Sequence, residues 1–149
     1  MAAPNPPPRS AWVLLALLAA EGHSLTPVQL QKCLFLLGSR RPKDVGRDFY
    51  HFRPYDYGPF DVMVYTDSDQ LVERGMVTID KSMGQSLRRF VLTADGNAEA
   101  ERLVHLVPPR GMAYLREVVA WAQRLSFNEL VAAVYEAYPE MRANSVFRD

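Results

Sequence analysis

The residue types that usually act as acids, bases or nucleophiles give this chain one catalytic candidate. Its three histidines, His23, His51 and His105, lie far apart in the sequence. Only His51 has carboxylates close by, at Asp48 and Asp56, and a histidine next to carboxylates can exchange protons near neutral pH. No nucleophile or metal ligand accompanies this group. We therefore interpret His51 as a hydrogen-bonded residue of an aromatic segment. An enzyme that uses His51 for proton transfer, with Asp48 or Asp56, is one alternative hypothesis for function.

The sequence also lacks the short motifs that bind cofactors or carry common catalytic groups. Glycine-rich dinucleotide and phosphate loops, the serine-hydrolase elbow and the zinc-binding HExxH pattern are all absent. The single cysteine, Cys33, excludes an intrachain disulfide and a multi-cysteine zinc site. Its place on an apolar helix stripe indicates a small buried hydrophobe rather than a nucleophile. We predict a cytoplasmic protein that is not an enzyme and binds no cofactor or metal.

An aromatic segment at residues 49–60 is the most unusual feature of the chain. These twelve positions hold six of the 16 Phe, Tyr and Trp residues. A structural interpretation makes Tyr57-Gly58-Pro59 a rigid turn and places the phenylalanines in the core. A functional interpretation makes the segment a partner-binding surface, because Tyr and Arg are enriched at interface hot spots. The residues that we predict to contact a partner are Tyr50, Arg53, Tyr55, Tyr57 and Pro59.

Length and charge restrict the classes of partner. The chain has 149 residues, 48% of them hydrophobic, which fits one compact domain with its own core. Lys plus Arg number 17 and Asp plus Glu number 17, so the formal net charge is zero. This balance argues against bare nucleic acid or an anionic membrane as the main partner.

The N-terminal region has two possible interpretations. Residues 1–10 are rich in proline and predict a disordered tail. The apolar run 11–20 is about half of the ~20 residues that a membrane span needs. It resembles the apolar part of a secretory signal, but we interpret it as a buried first helix with Ser10 as its N-cap.

A second helix has the clearest local signals. Thr26 is the predicted N-cap, Pro27 occupies the first helical position, and Gln29 completes a capping box. Gly38 is predicted to end the helix. One buried stripe at i, i+3, i+4 and i+7 consists of Leu30, Cys33, Leu34 and Leu37.

The remaining chain alternates turn signals with periodic segments. After the second helix we predict a polar loop over 39–48, a short strand over 49–53 and a third helix from Pro59 to near Gly75. A β-hairpin of 76–80 and 87–93 follows. Three further helices are predicted: a fourth that is capped by Thr93 and ends near 107, a fifth over 111–125, and a last one that is capped by Ser126 and ends near 138.

Three helices followed by a hairpin is the order of a winged helix. We predict an α+β fold, mostly α, in which a winged-helix-like unit is extended by C-terminal helices. The predicted domain covers residues 11–138, and residues 139–149 form a loose C-terminal tail.

A winged helix suggests a DNA-binding transcriptional regulator as the alternative function. The predicted third helix is acidic, however, with four carboxylates against one arginine, and this disfavours contact with phosphate. The residues that would contact the phosphate backbone are Arg40, Arg41, Lys81, Arg88 and Arg89.

Residues 25–106 resemble the Panacea, or SocA-like antitoxin, domain family. The residues that carry the resemblance are LQKCLFL at 30–36, YDYGPF at 55–60 and LVERGMV at 71–77. Family members tend to have a Leu-x-Lys-Leu-Leu-Tyr/Phe helix, a Tyr-Gly-Pro turn and a Leu-x-x-x-Gly sequence before a hairpin. Cys33 stands where a leucine is usual.

The resemblance implies a non-enzymatic module that neutralises a toxin by direct contact. The member that gives the family its name is also an adaptor that delivers its toxin to a protease. We therefore predict a bacterial protein-interaction module that binds and occludes a protein partner, such as a toxin or a protease component. Its oligomeric state and the identity of its partner stay open, because the region outside the motifs often determines the partner of an antitoxin.

Overall fold

The computed structural model describes residues 7–80 and 88–147 and confirms a mostly helical α+β fold. The α-helices of this part of the chain are α1 (Ala11–Ala19), α2 (Pro27–Arg40), α3 (Pro42–Val45), α4 (Val62–Glu73), α5 (Ala94–Val104), α6 (Pro109–Gln123) and α7 (Phe127–Ala137). The strands are β1 (Arg53–Tyr55), β2 (Gly58–Phe60), β3 (Val77–Asp80) and β4 (Arg89–Leu92). They form two separate antiparallel hairpins, β1–β2 and β3–β4.

Helix α1 lies at the centre of the core, as its apolar composition predicts. It contacts α2, α5, α6 and β4, and almost all of its residues are buried. The predicted cap is wrong, because Ser10 has helical backbone angles and its side chain makes no capping hydrogen bond. The Ala11 N–H instead donates to the Pro8 carbonyl at 2.9 Å. None of the described helices combines the length and apolarity needed to cross a bilayer.

The structure confirms the start and the buried stripe of α2. The Thr26 hydroxyl accepts from the Gln29 N–H at 3.1 Å, and the Gln29 side chain accepts from the Thr26 N–H at 2.9 Å. The predicted end is wrong, because the helix continues past Gly38 to Arg40. A Cβ at position 38 would lie 2.8 Å from Cε2 of Phe49. Glycine is therefore needed here for the close approach of an aromatic ring.

The polar loop predicted over 39–48 contains a helical turn. Helix α3 follows α2 after one residue, and the Arg41 guanidinium contacts the Asp44 carboxylate at 2.7 Å.

The first hairpin replaces the predicted strand over 49–53 and the predicted start of the third helix. Strand β1 pairs with β2, so Pro59 lies in a strand opposite Pro54. Both prolines are tolerated because each strand of an isolated pair is an edge strand. Helix α4 begins only after Asp61, whose carboxylate accepts from the Met63 N–H at 2.9 Å.

The second hairpin lies where the sequence predicts it. Leu25 forms an isolated bridge with Phe90, with backbone hydrogen bonds of 3.0 and 2.8 Å. This bridge ties the start of α2 to β4, so that α1, α2, α4 and the β3–β4 hairpin pack as one unit. The predicted turn between the strands, including Lys81, lies outside the described residues.

The later helices pack on this unit and share its core. Thr93 and Ser126 cap α5 and α7 as predicted, and Ser126 forms a complete capping box with Glu129. Helix α6 contacts both α1 and α2. Its predicted stripe is buried and consists of Leu115, Val118, Val119 and Ala122.

The C-terminal residues pack against the first hairpin instead of forming a loose tail. After a 3-10 turn at Pro139–Arg142, the Val146 N–H donates to the Asp56 carbonyl at 2.9 Å. The Asn144 side-chain amide donates to the Pro54 carbonyl at 3.2 Å. The prediction of a loose tail is therefore wrong for residues 139–147.

Candidate functional site

The first hairpin presents aromatic side chains to solvent, and one ring of α7 lies beside them. Tyr55 is 52% exposed, Tyr57 is 42% exposed, and Phe127 is 43% exposed. Arg53, at the start of β1, is also exposed. We call these four residues the hairpin surface.

Neighbouring rings hold the exposed tyrosines in fixed positions. Tyr55 stacks on Phe60 with ring centroids 4.9 Å apart, and Tyr57 meets Phe127 edge to face at 5.2 Å. Phe60 in turn contacts the ring of Tyr65 at 5.5 Å. The tyrosines of the hairpin surface therefore lose little further conformational freedom when a partner covers them.

The C-terminal segment and α7 support the hairpin from behind. The Tyr135 hydroxyl donates to Oγ of Ser145 at 2.6 Å, and Oγ of Ser145 donates to the Asp56 carbonyl at 3.3 Å. Phe147 is buried and its ring lies near those of Phe127 and Tyr135. These contacts connect the turn of the hairpin to the body of the fold.

Two of the predicted contact residues are buried. Tyr50 is 5% exposed, and its hydroxyl donates to Oδ2 of Asp67 at 2.6 Å. Arg9 contacts the same carboxylate oxygen at 3.0 Å and lies over the Tyr50 ring. Burial, together with the hydrogen bond to Asp67, raises the pKa of Tyr50. Pro59 lies buried in β2. The structure thus brings Arg53, Tyr55 and Tyr57 together at the surface and places Tyr50 and Pro59 beneath it.

Lys32 is a notable residue that the sequence interpretation missed. It is only 3% exposed, and none of the described residues offers it a hydrogen bond or an ion pair. Burial lowers its pKa to about 8. The stripe pattern marks the face of α2 that meets the other helices, but β2 also packs on α2, and the rings of Phe52 and Tyr138 contact Phe35. Eight consecutive residues, 30–37, are buried as a result.

A small cavity lies between Lys32 and the hairpin turn. Its volume is about 170 Å³, and Tyr55, Asp56 and Tyr57 contribute to its wall. Gly58, at the end of the turn, has φ +105°, and a Cβ there would lie 3.5 Å from Nζ of Lys32. The amine therefore ends directly beneath the hairpin surface.

The histidine candidate and its carboxylates are not assembled into one site. His51 lines a separate cavity of about 740 Å³ beside α2 and α3, whereas Asp56 lines the small cavity at the turn. The backbone N–H of His51 donates to Oδ2 of Asp61 at 2.8 Å. Cys33 is fully buried, and burial raises the pKa of its thiol to about 12. Within the described ranges, no group of His, Cys, Asp and Glu could hold a metal ion.

The predicted phosphate-contacting residues form two groups. Arg40 and Arg41 lie at the C-terminal end of α2, whereas Arg88 and Arg89 share a cavity with Thr26 at its N-terminal end. A helix of 14 residues separates its ends by about 20 Å. The two groups therefore do not form one continuous basic patch.

Both groups also contain an arginine that is already paired. Arg41 pairs with Asp44 at 2.7 Å, and Arg88 pairs with the exposed Asp69 of α4 at 3.4 Å. Part of the acidic charge of α4 is engaged as well, because Asp67 is buried against Arg9.

Comparison with protein-family models and with curated proteins finds no match to this chain.

Proposed function

We propose that the chain is a non-enzymatic protein-interaction module, of the antitoxin or proteolytic-adaptor type, that binds and occludes a protein partner. The observation that supports this function best is the hairpin surface. Two large tyrosines and an arginine are exposed there on a hairpin that is braced by the C-terminal segment. A toxin or a protease component is the partner class that the family resemblance suggests.

The composition of the hairpin surface favours a protein partner. Tyrosine combines a wide apolar ring with a polar hydroxyl, and arginine adds a planar charged donor, so both residues are common at hot spots. The rings of Tyr55 and Tyr57 are already packed on Phe60 and Phe127. A pre-ordered surface forms a complex with a smaller entropy loss than a flexible loop does.

A winged-helix DNA-binding regulator is the alternative function. It would use Arg40, Arg41, Arg88 and Arg89, with Lys81 as a further candidate. The two groups of arginines lie near opposite ends of α2, so they do not form one surface for a duplex. The exposed carboxylates of Asp69 and Glu73 in α4 also disfavour contact with phosphate.

Purification of the tagged full-length protein from its own host, with and without nuclease, distinguishes these functions. We expect one stoichiometric protein that survives nuclease. Recovery of nucleic acid alone, or of proteins that nuclease removes, would contradict the proposed function and favour the regulator.

A further inference from the structure

Lys32 differs from the other buried polar side chains of the described residues. These are Gln31, Asp67 and Ser68, and each of the three has hydrogen-bond partners. The Gln31 side chain donates to the Asp61 carbonyl at 3.0 Å and accepts from the Asp61 N–H at 3.1 Å. Oγ of Ser68 donates to the Val64 carbonyl at 2.7 Å.

Buried polar groups in folded proteins almost always have a partner, and a buried charge without one is strongly unfavourable. The side chain of Lys32 is buried, but its amine reaches the wall of the cavity at the hairpin turn, without a hydrogen bond or ion pair to the described residues. Burial alone lowers its pKa. The amine is therefore open, through the cavity, to a partner from outside the chain.

We propose that this cavity is a carboxylate-binding pocket, in which an Asp or Glu side chain of the protein partner forms an ion pair with Nζ of Lys32. This inference rests on the proposed function and adds the chemistry of the partner to it. Two residues of the hairpin surface, Tyr55 and Tyr57, line the pocket. A partner that covers them can therefore place an acidic side chain at the pocket.

The size of the cavity agrees with a side chain rather than with a free metabolite. The cavity volume of about 170 Å³ is several times the ~30 Å³ that one water molecule occupies in the liquid. It is smaller than the roughly 300–1,000 Å³ of typical small-molecule pockets. A carboxylate with its methylene stem fits between these limits.

Three phenols of the cavity wall can donate hydrogen bonds to an incoming anion. Tyr55, Tyr57 and Tyr65 contribute phenols, and burial raises the pKa of Tyr65, which keeps its hydroxyl protonated. Asp56 is the one carboxylate of the wall, and it forms no ion pair with Lys32. The Lys32 amine is thus available to form an ion pair with a carboxylate of the partner.

The pKa of Lys32 in the free and ligated protein tests the pocket. The chain has three lysines, so selective ¹³C labelling at Cε gives three signals, and the Lys32→Met variant assigns the one from Lys32. We expect a pKa near 8 in the free protein. Acetate and propionate mimic Asp and Glu side chains. At ten times their Kd, either one should raise the pKa of Lys32 by about one.

Exposed Lys43 is the internal control, and its signal should titrate identically with acetate and with chloride at equal ionic strength. An equal response of Lys32 to acetate, chloride and phosphate would overturn the proposal, because the pocket would then not select carboxylates. A pKa of Lys32 near 10.5 that falls in the Asp56→Asn variant would also overturn it, since the counter-charge would then be internal.

The captured partner separates failure of this inference from failure of the proposed function. With both correct, the Lys32→Met variant binds the partner at least tenfold more weakly, and the Lys43→Met variant binds it normally. If Arg53→Ala/Tyr55→Ala weakens binding while Lys32→Met does not, the pocket is refuted and the proposed function stands. If no protein partner binds but the pKa of Lys32 still responds selectively to acetate, the proposed function is refuted. The proposal that a side chain of a protein partner occupies the pocket is then refuted as well.

Discussion

At the scale of single residues, Lys32 opposes the stability of the fold. Burial lowers its pKa from 10.5 to about 8, so the folded chain binds the proton less tightly than the unfolded chain. The destabilising contribution is complete below about pH 8 and disappears as the pH rises towards 10.5. A residue that weakens the fold at neutral pH is typical of a functional position.

Replacement of this amine by a neutral side chain should therefore stabilise the protein. We expect Lys32→Met to increase the free energy of unfolding by up to about 3 kcal/mol at pH 7. Urea denaturation at pH 7 and at pH 10.5 measures the effect, which should largely vanish at the higher pH. The exposed Lys43→Met variant should change stability by less than about 0.5 kcal/mol. A Lys32→Met protein that is less stable than the wild type at pH 7 would refute this account of the residue.

Tyr50 stabilises the fold through Asp67, which lies in a partly buried site shared with Arg9. The Tyr50→Phe variant keeps the ring in the core but removes a hydrogen bond of 2.6 Å to the carboxylate. We expect a loss of about 1–3 kcal/mol, because hydrogen bonds to charged groups are the stronger ones. Tyr57→Phe, at an exposed ring, should have almost no effect in the same denaturation experiment. Equal stability of Tyr50→Phe and the wild type would show that Arg9 alone satisfies Asp67.

At the scale of elements, the accuracy of the sequence predictions depends on how local the interactions are. The capping boxes at Thr26 and Ser126 involve residues three positions apart, and both are present. Gly38 was assigned to a helix end from local pattern alone, but its role depends on Phe49, which a later segment contributes. Buried stripes were predictable because helical periodicity alone defines them.

The candidate site was only partly predictable for the same reason. The sequence identified Arg53, Tyr55 and Tyr57, since residue types alone mark possible contact residues. The burial of Tyr50 and of the Lys32 amine depends on residues that lie 17 or more positions away. The docking of Asn144 on Pro54 spans 90 positions. No window of local sequence contains such pairs.

The C-terminal segment and the first hairpin act as one element. Phe147 is buried between the rings of Phe127 and Tyr135. We expect Phe147→Ala to lower the free energy of unfolding by about 3 kcal/mol. Hydrogen exchange should also show weaker protection in residues 53–60, because the segment would no longer hold the Asp56 carbonyl.

Val146 offers a matched control for this prediction. It is 56% exposed, so Val146→Ala should leave both stability and hairpin protection close to those of the wild type. Unchanged protection of residues 53–60 in Phe147→Ala would show that the hairpin is held by α2 and α7 without the C-terminal segment.

At the scale of the whole molecule, the exposed tyrosines and the Lys32 pocket both lie at the first hairpin. The net charge of zero disfavours long-range attraction of the whole chain to nucleic acid. Helices α1, α2, α6 and α7 share one core. They hold the hairpin surface and the Lys32 pocket in fixed relation to each other. We therefore expect the affinity for a partner to depend on direct contacts at the hairpin surface and the Lys32 pocket.

The affinity of the captured protein partner for variants of the hairpin surface tests this claim most directly. We expect Arg53→Ala/Tyr55→Ala to raise Kd by about 100-fold or more, because hot-spot residues each contribute about 2 kcal/mol. Its thermal unfolding should stay cooperative, since both side chains are exposed. The matched control is Leu106→Ala/Arg110→Ala, which changes an exposed leucine after α5 and an exposed arginine in the first turn of α6 and should bind like the wild type. An unchanged Kd for Arg53→Ala/Tyr55→Ala would contradict the claim that the hairpin surface binds the partner.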